Sequence, residues 1–129
     1  MCGINVIFDP DEGISDKQGL VQRMNSEMVY RGPDGDGLYF NDSVAFGMRR
    51  LSIIDVEGGS QPLFNENKSL SLVCNGEIYN YIEIRKKLEK TGRHSFTSKS
   101  DAEVILHLYE EKGFDCVKYL RGIFSCIKY

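Results

Sequence analysis

Cys2 becomes the first residue of the chain once Met1 is removed, and it then carries a thiol and a free α-amino group together. The α-amine, with an ordinary pKa of about 7.7–8.0, can take a proton near neutral pH and lies beside the strongest side-chain nucleophile. That pairing suits acyl transfer, with Cys2 as nucleophile and its own amine as general base. Such chemistry also needs donors for the oxyanion that develops on the attacked carbonyl. Asn75, at the end of an apolar β-run, is followed by Gly76; the two can aim a side-chain amide and a backbone N–H at one point, because glycine leaves the approach open. Each has a plainer reading. Cys2 could be a small hydrophobe at a frayed end, and Asn-Gly is a common turn signal.

The elements that must hold these residues follow from the apolar pattern. Gly3–Phe8, bounded by Asp9-Pro10, reads as a buried strand that ties down the terminus. From Asp16 to Tyr30, Leu20, Val21, Met24 and Met28 recur at helical spacing. Arg31–Gly37 is dense in turn residues and precedes two strand-like runs, Leu38–Asn41 and Ser43–Arg49, with a hairpin turn at Asn41-Asp42. A long connection from Leu51 to Asn67 leads to the strand Ser69–Cys74. Asn80 with Glu83, and Ser100 with Glu103, have the spacing of capping boxes; they open helices to about Lys90 and Lys112, ended by Gly92 and Gly113. In the second helix Ala102, Ile105, Leu106 and Tyr109 form the expected inner face. A short helix around Asp115–Leu120 then precedes a final strand, Ile123–Tyr129. The tyrosines and phenylalanines read as core.

With 129 residues, 41% of them hydrophobic and 27% charged, the chain forms one soluble globular domain, residues 1–129. A net charge of −3 and scattered basic residues argue against nucleic acid as a partner. Cys2, Cys74, Cys116 and Cys126 show neither metal-type spacing nor a disulfide framework, which fits reduced thiols in the cytoplasm and no structural zinc. His94 and His107 are the only histidines and match no triad or ligand spacing, so no metal is expected. No apolar run is long enough to span a bilayer, and the N-terminus lacks a secretory signal.

Six blocks then occur in one order: Met1-Cys2-Gly3-Ile4, Arg31-Gly32-Pro33-Asp34, Arg50-Leu51-Ser52-Ile53-Ile54-Asp55, Gln61-Pro62-Leu63, Asn75-Gly76-Glu77-Ile78-Tyr79-Asn80 and Ser100-Asp101-Ala102-Glu103-Val104-Ile105-Leu106. Together they resemble the glutamine amidotransferase (class II) domain of the glutamine-hydrolysing asparagine synthetases, a branch of the N-terminal-nucleophile hydrolases. The resemblance implies an α+β fold, the four-layer αββα arrangement, here incomplete at its C-terminal end. It implies hydrolysis of L-glutamine to glutamate and ammonia through a Cys2 thioester, with Asn75 and Gly76 as the oxyanion hole. Arg50 matches the arginine that pairs with the glutamine α-carboxylate, for which a planar two-pronged donor is the suited partner. Strand alternation puts Arg49 on the opposite face. Asp101 matches the acid that receives the α-ammonium, although at a helix start it could equally complement the helix dipole. Ile53, Ile54 and Glu77 correspond to further substrate-binding positions. Tyr30 stands where the family usually has His.

The resemblance also implies a synthetase domain or subunit that accepts the ammonia, and that ATP and Mg belong there; no cofactor is implied for this domain. The glycine-rich phosphate loop of such a synthetase is not in this sequence. Two other readings stay open: a non-catalytic truncated domain that binds glutamine or a synthetase subunit, and the amidotransferase domain of another class II enzyme.

Overall fold

The computed structural model of the chain describes residues 2–53 and 58–129. Strands β1 (Gly3–Phe8), β2 (Gly35–Phe40) and β3 (Val44–Arg50) form an antiparallel sheet in the order β1-β3-β2. The turn between β2 and β3 is the expected one: Asn41 Oδ1 accepts from the N–H groups of Ser43 and Val44, both at 2.9 Å. Period-two alternation gives the central strand two buried faces. Val44, Phe46 and Met48 point to the second sheet, while Ala45 points to helix α1 (Lys17–Glu27). Helix α1 starts at its Asp16 cap, whose carboxylate accepts from Gly19 N–H at 2.8 Å. It packs Leu20, Val21 and Met24 on Ile7, Ala45 and Leu38. A buried amide relay fixes its register: Asn5 Nδ2 donates to Asn25 Oδ1 (3.2 Å), and Asn25 Nδ2 to Met48 O (3.1 Å). The helix gives way to a 3₁₀ turn at Val29–Arg31.

The second antiparallel sheet has the order β4-β5-β6, from β4 (Leu63–Phe64), β5 (Ser71–Ile78) and β6 (Gly122–Lys128). Two elements depart from the sequence reading. The long connection after Leu51 contains β4. The strand expected to end near Cys74 instead continues to Ile78, so Asn75 and Gly76 lie inside it, opposite Ser125 and Phe124 of β6. Asn-Gly is therefore no turn here, because the unbroken pairing of Leu72 to Ile78 with β6 supplies the hydrogen bonds a turn would forgo.

Helices α2 (Tyr81–Glu89) and α3 (Glu103–Lys112) cover the outer face of this sheet through Ile84, Leu88, Ile105 and Leu106 against Leu72, Cys74 and Ile78. Between the sheets lie Phe46, Met48, Val73 and the partly buried Cys2 and Ile4. The layers are thus helix, sheet, sheet, helix, the expected α+β arrangement. Full burial of each large core side chain contributes about 1.5–3 kcal/mol. Helix α3 is buried almost all round, with Val104, His107 and Leu108 as inaccessible as its expected inner face.

Neither capping box forms. Asn80 pins the approach to β6 instead: its Nδ2 donates to Tyr119 O and its Oδ1 accepts from Arg121 N–H, both at 2.9 Å. Those two peptide groups flank the end of a 3₁₀ turn (Gly113–Tyr119) and take the Asn80 amide that would have served the helix. The Glu103 carboxylate turns to Thr97 and Ser98 rather than to Ser100. The aromatic residues are also not uniformly core. Phe46 is buried, whereas Phe8, at the last position of β1, Tyr30 and Phe114 are largely exposed. No helix among the described residues is long and apolar enough to cross a membrane.

Candidate active site

Cys2 sits at the entrance to β1, where the sheet edge meets the segment leaving β3. Leu51 N–H donates to Cys2 Sγ at 3.3 Å, and the sulfur lies 3.6 Å from Leu51 O. The N–H donor and the carbonyl acceptor together orient the thiol. Behind the sulfur, the Arg31 guanidinium donates through two nitrogens to Cys2 O, each at 3.4 Å. Arg31 thereby ties the 3₁₀ turn to the nucleophile although the neighbouring Tyr30 side chain, the departure from the family pattern, points to solvent. Asp34 reinforces the tie: its N–H donates to Arg50 O (3.0 Å) and its Oδ2 accepts from Ser52 N–H (2.8 Å). Gly32 is required where this loop crosses β3, since a Cβ there would collide with the Arg49 and Arg50 backbone.

Arg49 and Arg50 separate as alternation demands. Arg49 turns away, with Nε on Gly32 O at 3.0 Å and NH1 3.8 Å from Asp36. Arg50 lines a cavity of about 240 Å³ whose walls also include Cys2, Asn75, Gly76, Glu77 and Asp101. Ile53 lines it too, largely exposed at the rim. Ile54 lies outside the described residues. So every described residue predicted for the site borders one cavity, although they come from four separate segments.

On the β5 side, Gly76 has φ +145°, and a Cβ there would meet Ile123 O and Phe124 Cα. Gln61, which the sequence reading valued only as part of a resemblance, works like an added strand: Cys74 N–H donates to its Oε1 (2.6 Å) and its Nε2 donates to Cys74 O (3.1 Å). It braces the residue before Asn75. Asp101 is buried, and its Oδ2 accepts from Ile78 N–H at 2.7 Å. The same carboxylate therefore holds the loop before α3 onto the end of β5. Glu103 fixes that loop further back, accepting from Thr97 N–H (2.7 Å), Ser98 N–H (2.8 Å) and both hydroxyls. Burial alone would raise its carboxyl, but His107, Ser98 and Thr97 outweigh burial and push it down to about 2.

Burial raises the thiols of Cys74, Cys116 and Cys126 above their ordinary range, so these three stay neutral at pH 7. Cys74 also borders the cavity, yet its thiol is buried among the sheet-helix core. The histidines come together in the fold. Although separated by unsuitable sequence spacing, His94 and His107 meet with ring centroids 5.0 Å apart, beside Glu66 and Glu110; folding of a loop onto α3 brings them together.

The four layers, with a cysteine at the head of the first strand opening on a cavity between the sheets, define an N-terminal-nucleophile hydrolase fold. A solved glutamine phosphoribosylpyrophosphate amidotransferase from B. subtilis matches 66% of this chain and 21% of its own at a TM-score of 0.54 and 24% identity, a likeness of fold. The family described as glutamine amidotransferase domain matches residues 1–129, and the chain belongs to that family. Among curated proteins it is 45% identical over 127 residues to asparagine synthetase [glutamine-hydrolyzing] 1 of Bacillus subtilis. It is 42% identical over 129 residues to a probable asparagine synthetase of Dictyostelium discoideum, and 44% over 127 to asparagine synthetase 1 of Arabidopsis thaliana. These matches cover 97–100% of this chain and 20–23% of the relatives, so the chain spans about a fifth of their length.

Proposed function

We propose that the chain, with Met1 removed, hydrolyses L-glutamine to glutamate and ammonia, and that the ammonia serves an ATP-dependent amidation of the kind carried out by asparagine synthetases. The observation that carries this reading is the convergence of Cys2, Asn75, Gly76, Arg50 and Asp101 on one cavity. Arg50 and Asp101 supply opposite charges suited to the α-carboxylate and α-ammonium of an amino acid. The Cys2 thiol proton passes to the α-amine, and sulfur attacks the side-chain carbonyl carbon of glutamine. The resulting oxyanion takes hydrogen bonds from Asn75 Nδ2 and Gly76 N–H, each such donor being worth about 3–4 kcal/mol in the transition state. Collapse breaks the C–N bond; the amide nitrogen takes the proton from the α-ammonium and leaves as ammonia. Water then adds to the thioester, giving its proton to the amine, and glutamate leaves as the thiol is restored.

The reading has support from the family match over the whole chain and from relatives whose names include glutamine hydrolysis. The test is glutamate release from glutamine by Met1-processed protein, with Cys2→Ala as control. Release that depends on Cys2 supports hydrolysis. Equal background rates in two folded proteins would leave a glutamine-binding or subunit-binding domain without catalysis.

A further inference from the structure

On the far side of α3's first turns from the cavity, three segments bring Glu66, His94, His107 and Glu110 together. Glu66 comes from the turn between β4 and β5, His94 from the loop after α2, and His107 and Glu110 from one face of α3 at i, i+3 spacing. One donor atom from each converges: Glu110 Oε2 is 3.1 Å from His107 Nδ1 and 3.3 Å from His94 Nδ1, and Glu66 Oε1 is 3.6 Å and 4.0 Å from the same nitrogens. All four atoms lie within 4.8 Å of one another. A tetrahedron with bonds of about 2.0–2.2 Å has edges of about 3.3–3.6 Å.

The surroundings already orient two of the four groups, His94 and Glu110. His94 Nε2 lies 2.9 Å from Glu111 Oε1, which fixes that nitrogen as the N–H and turns the Nδ1 lone pair inward. Glu110 is oriented by Asn65 Nδ2 on its second oxygen, at 2.9 Å. His107 is fully buried and its Nε2 has no hydrogen-bond partner, lying 3.8 Å from Glu103. His94 has a carboxylate against each ring nitrogen, so a neutral ring leaves one of them facing a bare lone pair. A cation at Nδ1 would satisfy that lone pair and the facing carboxylate together. Glu66 and Glu110 remain about a third and a quarter exposed, which gives an ion a way in.

We propose that Glu66, His94, His107 and Glu110 form a mononuclear site for a divalent transition-metal ion, with zinc the best match to two imidazole nitrogens and two carboxylate oxygens. The ion would clasp the β4–β5 turn and the loop leading to Asp101 onto α3, a structural role remote from the Cys2 chemistry.

The test uses the full chain stripped with a chelator and titrated with zinc alone, then with cobalt(II) alone. The site predicts one ion bound per chain, a melting temperature that climbs with free zinc, and the intense visible spectrum of tetrahedral cobalt without sulfur-to-metal bands. His94→Gln and Glu66→Gln should each weaken zinc binding about 100-fold or more, while Cys2→Ala leaves it unchanged. Glu66 lies on a partly exposed turn, so its variant keeps the test decisive if His94→Gln folds poorly. Failure to bind zinc stoichiometrically, binding unaltered in Glu66→Gln, or sulfur ligation in the cobalt spectrum would overturn the proposal in favour of a metal-free hydrogen-bonded cluster or an adventitious thiol site.

Discussion

Replacing Glu103 by Ala removes the acceptor for two peptide N–H groups and two hydroxyls in the loop that delivers Asp101 to the cavity. The Thr97 and Ser98 hydroxyls can rotate to other partners, but their peptide N–H groups are fixed by the backbone. Orphaning the buried Ser98 N–H costs about 3 kcal/mol and orphaning the more exposed Thr97 N–H about 1 kcal/mol, so Glu103→Ala should destabilise the fold by about 4 kcal/mol. Glu103→Gln keeps one oxygen in place and presents an NH2 group to the other N–H, which halves the loss to about 2 kcal/mol. At roughly 4 °C per kcal/mol for a domain of this size, the Gln variant should melt about 8 °C lower. Urea unfolding at pH 7 followed by circular dichroism, with an unchanged m-value, measures the difference directly. The loop ends at Asp101, so the folded Gln variant should also show a raised KM for glutamine with a smaller change in kcat. If both variants unfold within 0.5 kcal/mol (roughly the noise of an exposed substitution) of the parent, the carboxylate is not what holds this loop, and the reasoning fails.

Two other outcomes follow from single residues. Gly76→Ala meets both a φ of +145° and a collision with the β6 backbone, whereas Gly92→Ala meets a φ of +68° in open space. The first should cost more than about 3 kcal/mol and the second about 1 kcal/mol, and similar midpoints for the two would show that β6 yields at Gly76. Asp9 accepts from Ile14 N–H (2.9 Å), Lys17 Nζ (2.9 Å) and Gly13 N–H (3.0 Å), which lower its carboxyl below the ordinary value in the fold. A depressed native pKa means its stabilisation is complete above the unfolded value of about 3.9 and is lost as pH falls through the native one. The stability gap between parent and Asp9→Asn should therefore close below about pH 4; a gap independent of pH down to about pH 2 would contradict the assignment.

The strands and helices were legible because they rest on local rules, whereas the four-layer arrangement and the substrate-binding positions were legible only through the resemblance carried by the six blocks. Apolar alternation set β1 and β3, a four-residue repeat set α1, and the parity of neighbouring arginines put Arg49 and Arg50 on opposite faces, the resemblance naming Arg50 as the one that enters the cavity. What was not legible depends on long-range competition. Asn80 and Glu103 have the right spacing for capping boxes, but backbone groups from distant segments offer them stronger partners. Asn75-Gly76 carries a turn signature that pairing with β6 overrides, and no local pattern announces a strand that ends at Ile78. The clustering of His94 and His107 with Glu66 was invisible for the same reason. Their sequence spacing matches no ligand motif, and only the folding of two loops onto α3 makes them neighbours.

The central claim is that Cys2 is the nucleophile of a glutamine-hydrolysing site, and an electrophilic diazoketone analogue of glutamine tests it most directly. Processed protein treated with the analogue, with and without glutamine, is digested and the modified residue located by mass spectrometry. The account predicts one adduct per chain, on Cys2, suppressed by glutamine and abolished in Cys2→Ala, with Cys74, Cys116 and Cys126 unmodified because burial keeps their thiols protonated. An adduct on Cys74, or labelling of Cys2 that glutamine does not suppress, would contradict it.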